Sequence, residues 1–598
     1  MRAILNSVGD FATVMGETAG RHGCDVLRSD FVPGSRRARI QGAQVISESW
    51  SPTPPKSFLG GLPSVAALIL LVAFGGNRVG AASLSETIDR EIKAGWEREK
   101  LNVPARSSDS VFLRRIYLDL VGMIPSYEET TSFLADTDPQ KRARLIDKLL
   151  ADPRYGRQQA QVFDLAMLTR DHKLVEGTVG YRNRGRFREW LAKQFAANEP
   201  YDRIAAKILQ AEEDGSQLYF AVYGNPDEMV AGVSRFFLGT QIQCAQCHNH
   251  PFETWTQKDY HGMAAFFART VSVEVKEKPE IANVKGKQYL VGEKTVGEAF
   301  FSIDKIDPKT KKKETIPIPP KFLLGEVLNE PATPKDFVEP KLKPGELPPK
   351  PAFSRREKFV EWLIGKDNPF FAKATANRVW AQFMGRGFVH PVDDLGSSSP
   401  PSHPKLLTAI ETELVAHKFD LKWLIREIVN SQAYQAADLG EVKEALPKFF
   451  ERAPVRPLSV EELAASLPIA MGLGGDAALK TEPNKQMLEY LGKPTDGQGR
   501  FQGSLTEHLF FHNGDGFRGM CRPNKGNLAE KLLTGTEDWS QKVERMFLSV
   551  LNRPPAGEER EQFAQYLGAD GKDPKQATQR IEDALWVLVS SSEFRFNK

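Results

Sequence analysis

Cysteine is scarce, at 4 of 598 residues. A scaffold held by disulfides uses many more, so a packed apolar core must hold this chain. Charge of one sign is lacking too: 80 basic side chains face 77 acidic ones, for a net charge of +3. Nucleic-acid binding calls for clustered Lys and Arg, and no nucleic-acid partner is expected. No fixed period recurs along the chain, which argues against a solenoid. Long apolar runs are also missing. Leu62 to Phe74 comes nearest, and at 1.5 Å rise it covers about 20 Å of the roughly 30 Å hydrocarbon layer.

That block follows Lys56 and precedes the small residues G-G-N-R-V-G-A-A-S. A basic flank, a short apolar core and a small-residue site form the pattern of a secretory signal. The expectation is therefore an N-terminal extension and signal peptide over 1–82, cleaved near Ala81 or Ala82. The remainder would be exported to the periplasm or cell envelope, with no transmembrane span after cleavage. Cleavage would remove Cys24 and leave Cys244, Cys247 and Cys521.

What is present is ordinary globular composition, 41% hydrophobic and 26% charged, in a chain long enough for two or more domains. Residues 85–270 read as helical. Ser126 and Glu129 form a capping box, as do Thr256 and Asp259. Short alternating runs over 271–330 suggest a small β-hairpin unit, with Lys309 and Lys311 to Lys313 at a solvated tip. Seven prolines over 331–351 read as an extended linker. Helices are expected again at 355–365, 371–383, 404–417, 421–431, 459–470, 539–551, 556–568 and 575–591, within a companion region spanning 352–598. The fold class is thus mainly α: two helical domains joined by a small β-hairpin unit and a Pro-rich linker. The run from Arg114 to Glu129 echoes the run from Val543 to Glu559, which points to one helix-turn-helix unit near each end.

The stretch I-Q-C-A-Q-C-H-N-H-P-F carries the chemistry. Covalent attachment of haem needs two thiols three positions apart, followed by the proximal ligand, and Cys244, Cys247 and His248 satisfy it. With 4 Cys and 10 His in 598 positions, chance supplies such a motif about 3 times in 10,000. A zinc or iron site could instead use Cys244, Cys247, His248 and His250, because Pro251 pushes His250 out of any helix. A redox pair or plain disulfide is the third reading. Tyr260, Met263, Ala264 and Phe267 then fall on one buried helical face. Met263, His261 and His250 are the distal candidates, with Met263 more simply explained as core.

The longer run F-L-G-T-Q-I-Q-C-A-Q-C-H-N-H-P-F-E-T-W-T-Q-K-D-Y-H-G-M-A-A-F-F-A-R resembles the planctomycete cytochrome-C-like domain family, a domain of unknown function. So do R-R-I-Y-L-D-L-V-G-M-I-P and L-A-D-P-R-Y-G upstream. D-N-P-F-F-A-K-A-T-A-N-R-V-W-A-Q-F-M-G-R-G, D-D-L-G-S, P-S-H-P-K-L-L and R-P-L-S-V-E-E-L resemble its companion domain of unknown function. The resemblance implies covalent haem c on Cys244 and Cys247, with His248 on the iron and an unidentified redox or envelope partner. The expected function is electron transfer or haem-assisted oxidation. The alternative is a non-haem envelope protein whose zinc or iron site is structural and which binds a partner or glycan.

Three further groups qualify as candidates. Asp394, Ser402 and His403 have the residue types of a nucleophilic triad, although no nucleophile-elbow pattern frames the serine and Ser402 reads as a helix cap. Asn377, Arg378 and Trp380 are expected to brace Asp393 or Asp394 through a buried ion pair. His512, Met520 and Cys521 lie in a glycine-rich string that resembles no phosphate loop.

Overall fold

Local rules set the helix starts. Ser126 Oγ accepts from Glu129 N at 3.1 Å while Glu129 Oε2 accepts from Ser126 N at 2.8 Å, closing the expected box. Thr256 and Asp259 close the second in the same way. The structure is a computed structural model that describes residues 82–168, 184–275, 288–306, 313–438, 447–474, 487–488, 491, 510–511, 515–568 and 574–598. The signal-like leader, Lys309, Lys311, Lys312 and His512 lie outside the described residues. The protein is mainly α, and three two-stranded antiparallel sheets occur among the described residues. No described helix is long and apolar enough to cross a membrane.

Aromatic side chains tie distant segments into one core. Phe163, Phe195, Tyr201 and Phe236 meet with ring centroids 4.8 to 6.1 Å apart, and Tyr201 stacks on Phe371 at 5.6 Å. These rings join the helices Pro153–Leu168, Gly185–Ala196, Tyr201–Gln210 and Pro226–Phe237 to Phe371–Met384. Each such ring buries enough apolar surface to contribute on the order of 2–3 kcal/mol. A second cluster of Phe266, Phe267, Phe322, Phe359 and Trp362 lies just past the helix Gln257–Ala264 and packs it toward Arg355–Leu363.

The expected β unit is present as two hairpins, Thr270–Glu274 with Tyr289–Glu293 and Ala299–Ile306 with Lys313–Ile318. The proline-rich segment 331–351 is irregular and mostly exposed, as a linker would be. Even so, the segments on either side pack against each other, and Ala82–Lys598 forms one compact unit.

The echo between the two ends is structural. Asp109–Val121 turns through Gly122 into Tyr127–Ala135, and Trp539–Val550 turns through Leu551 and Asn552 into Gly557–Gly568. Gly122 (φ 72°) and Asn552 (φ 60°) take the left-handed conformation that ends each first helix, which glycine and asparagine tolerate best. The two turns also touch: Asn552 Nδ2 donates to Pro125 O at 3.1 Å, and Asn552 Oδ1 accepts from Arg114 Nη1 at 2.8 Å. Arg114 Nη2 donates to Phe594 O at 2.7 Å, and Arg115 Nε to Lys598 O at 2.6 Å.

Candidate functional site

The helix Pro226–Phe237 ends at Leu238, and Gly239 (φ 61°) turns the chain into the cysteine loop. Gln243–Gln246 forms one turn of 3₁₀ helix, with Ile242 and Ala245 buried beneath it. In a 3₁₀ turn residues i and i+3 eclipse, so with Ile242 and Ala245 inward, exposed Cys244 and Cys247 share one of the two outer edges. Both thiols are exposed and free, whereas Cys521 is buried. The turn stops at Cys247, so His248 is not carried on a continuing helix. Pro251 and the bends around it end helical geometry there.

Hydrogen bonds fix the imidazole tautomers. His248 Nδ1 lies 2.8 Å from Asn249 O, and since a carbonyl only accepts, Nδ1 carries the proton. Its exposed Nε2 therefore keeps a lone pair, the arrangement metal-binding histidines use. His250 is the reverse case. Its Nδ1 accepts from Phe252 N at 3.3 Å and Glu253 N at 3.0 Å, which places the proton of the neutral ring on Nε2. His261 Nε2 donates to Gln246 O at 3.2 Å and so ties the 3₁₀ turn to the helix Gln257–Ala264. Met263 is wholly buried beneath that helix. In this conformation each of the three distal candidates is committed elsewhere.

The rest of the loop is tightly bonded. His250 N donates to Trp255 O at 2.8 Å, and Asn249 Oδ1 accepts from Gln257 N at 3.1 Å at the start of the next helix. Lys321 Nζ reaches Asp259 Oδ1 at 2.8 Å. By contrast the Phe252 ring is 80% exposed, an apolar side chain left on the same loop as the two thiols.

The D-D-L-G-S-S-S motif of the companion region lies directly against this loop. Leu395 N donates to Gly239 O at 2.8 Å, and Gln241 Nε2 to Asp393 Oδ1 at 3.0 Å. Glu253 accepts from both the backbone N–H and the hydroxyl of Ser397 and of Ser398. The Ser398 hydroxyl, with the other donors behind it, holds the Glu253 carboxyl down at about 2. Sequence reasoning missed Glu253. The available signal was an unassigned acid just after H-P-F and a G-S-S-S run of small donors elsewhere in the chain.

The other candidates separate. Asp394 accepts from Ser399 Oγ at 2.6 Å, whereas His403 Nδ1 lies 3.1 Å from Ser402 Oγ, so no Asp-His-Ser relay is assembled. Ser402 is also not the cap: His403 occupies that position before Pro404, with no side-chain capping bond. Proline at the first helical position fixes that boundary, because the residue before it leaves the helical region. Arg378 does not pair with Asp393 or Asp394. It donates to Arg235 O and Phe236 O and stacks on the Phe236 ring at 4.5 Å, while Arg235 lies 3.9 Å from Asp393. Asn377 braces the following turn through Val389, and Trp380 is core. Met520 is partly exposed beside buried Cys521, on a segment anchored through Arg518 to Glu582 and Asp583.

Residues 87–272 match the family model PSCyt2, a protein of unknown function (DUF1549), and residues 355–489 match PSD1, a protein of unknown function (DUF1553). The two family models match in tandem along the chain. Their order is the one the sequence resemblance implied, and the cysteine loop sits near the end of the PSCyt2 segment. The D-D-L-G-S-S-S loop lies within the segment that matches PSD1, so the candidate site draws on both matched segments. No curated protein and no solved structure matches the chain.

The donor chemistry of the PSCyt2 loop fits covalent haem: two free exposed thiols on one edge and a histidine whose Nε2 holds its lone pair. The four-ligand alternative is not gathered. Among the described residues no group of three or more His, Cys, Asp or Glu side chains converges to hold a metal ion.

Proposed function

We propose that the protein is an exported c-type haem protein that transfers electrons in the cell envelope. The observation that carries this reading is the pairing of exposed Cys244 and Cys247 on one 3₁₀ edge with the Nδ1-protonated ring of His248. Cys244 and Cys247 would hold the porphyrin through thioethers, and His248 Nε2 would bind the iron. When bound, the group supplies one-electron exchange. The chain's own part is to present these atoms rigidly, through Asn249, His250 and His261, and to keep them on the outside. Exposure of the thiols, His248 and Phe252 favours exchange with a docked partner over oxidation of a small enclosed substrate. Export is supported by the signal-like leader and by the requirement that cysteine ligation of haem take place outside the cytoplasm.

The test is purification of the full chain from the envelope of a host that matures c-type haem. The expected result is a Soret band that survives acid-acetone extraction and a peptide carrying haem mass on Cys244 and Cys247. Unmodified cysteines with no Soret band would sink the proposal, and stoichiometric zinc or non-haem iron would put the bare-metal alternative in its place. His248→Ala should remove low-spin character while covalent attachment partly persists.

A further inference from the structure

We infer that Glu253 is a positioning residue that latches the cysteine loop onto the PSD1 segment, making the G-S-S-S turn part of the haem site. The inference rests on the reading of Cys244, Cys247 and His248 as an attachment site, and it deepens that reading by naming what holds the loop.

The geometry is that of a built anion cradle. Glu253 Oε2 accepts from Ser397 N at 3.0 Å and Ser397 Oγ at 2.8 Å, and Oε1 accepts from Ser398 N at 3.0 Å and Ser398 Oγ at 2.5 Å. Two consecutive backbone N–H groups and two hydroxyls therefore converge on one carboxylate, a nest of the kind that binds free anions. A Cβ on Gly396 would stand 2.3 Å from Glu253 Oε1, so any larger residue at the base of the cradle displaces the carboxylate. On the loop side the Glu253 backbone N–H donates to His250 Nδ1 at 3.0 Å, and His250 N in turn bonds Trp255 O. The latch thus connects through one residue to the turn just beyond His248. Trp255 adds an apolar contact, its ring 6.4 Å from that of Phe370.

A carboxylate this exposed contributes little to global stability. Its expected effect is local: fixing a loop whose reactive atoms face water. That separates positioning from mere support of the fold. An amide at 253 would turn an NH₂ toward one of the two serine pairs, and a methyl at 396 would push the carboxylate out while leaving the sequence of the PSCyt2-matching segment unchanged.

The experiment compares wild type, Glu253→Gln, Gly396→Ala, Ser398→Ala and Ser398→Thr, each as the full chain in the haem-maturing host. Three quantities are read: covalent haem per chain by pyridine haemochrome, amide exchange over 248–257 and 396–398, and melting temperature. Glu253→Gln and Gly396→Ala should each speed exchange across 248–257 and lower covalent haem about tenfold, the scale of outer-shell losses, with melting nearly unchanged. Ser398→Ala should show a smaller loss that Ser398→Thr restores. Unchanged exchange over 248–257 in both leading variants would overturn the latch, and so would faster exchange with full haem loading. A fall in loading only in proportion to a fall in melting temperature would also overturn it. If wild type itself carries no haem the cofactor reading fails, and the exchange comparison still decides whether Glu253 holds the loop.

Discussion

The loop around Cys244 exposes its histidine and cysteines, whereas the structure buries Cys521 and, in a pocket, His403. In the loop, two thiols and an imidazole stand in solvent, and the backbone around them is fixed by hydrogen bonds. In the pocket, the rings of Phe388, Phe449 and Phe450 surround His403 with centroids 5.6 to 6.1 Å away. Burial, aided by Arg98, pushes that imidazole down to about 4 and keeps it neutral. Cys521, buried at a separate place in the fold, is treated alike: burial raises its thiol to about 12. Histidine and cysteine in the loop face solvent, whereas His403 and Cys521, each buried at its own place in the fold, behave as volume.

The sharpest test of this contrast is thiol labelling of the haem-free chain. A rise of Cys521 from 9.0 to about 12 lowers its thiolate fraction about a thousandfold against an ordinary thiol. Peptide mapping after brief alkylation should find Cys244 and Cys247 modified and Cys521 intact. Rapid labelling of Cys521 would show that its burial is not maintained in solution.

Next in size is removal of the buried ring. His403→Ala leaves a cavity among three phenylalanines and should cost about 2–4 kcal/mol in urea unfolding. Acid gives a related effect. Because the folded value lies below the ordinary 6.5, the stability linked to neutral His403 is fully present above pH 6.5 and is lost as pH falls toward 4. The loss should be about 3 kcal/mol at most, and His403→Phe should remove that component of the pH profile. The smallest effect belongs to the loop: His248→Ala should change the stability of the haem-free chain by no more than about 0.5 kcal/mol. A larger loss there would make His248 a structural residue and erase the contrast.

Much of the fold was legible because its signals are local. The expected helix at 371–383 is Phe371–Met384, and the expected helix at 421–431 is Leu421–Asn430. Apolar period and caps act within four residues, so spacing alone reveals them. The short helix Leu528–Thr534, capped by Asn527, was missed because seven residues carry too little periodicity. Ser402 was misassigned as a cap because two adjacent polar residues compete for that role and the proline decides. For the candidate site, the C-x-x-C-H spacing of Cys244, Cys247 and His248 is local and so stands out in the sequence. Glu253 was not, since its partner Ser398 lies 145 residues away and nothing in either segment names the other. Asp393 shows the same limit: its basic neighbour is Arg235 from the PSCyt2 segment, not Arg378 nearby in sequence.

The bonds from Arg114 and Arg115 to the carbonyls of Phe594 and Lys598 have a kinetic consequence. They span 480 and 483 residues, so these two bonds of buried guanidinium groups form only after residues 594 and 598 have been synthesised. Contacts of such separation close late and slow the approach to the native state.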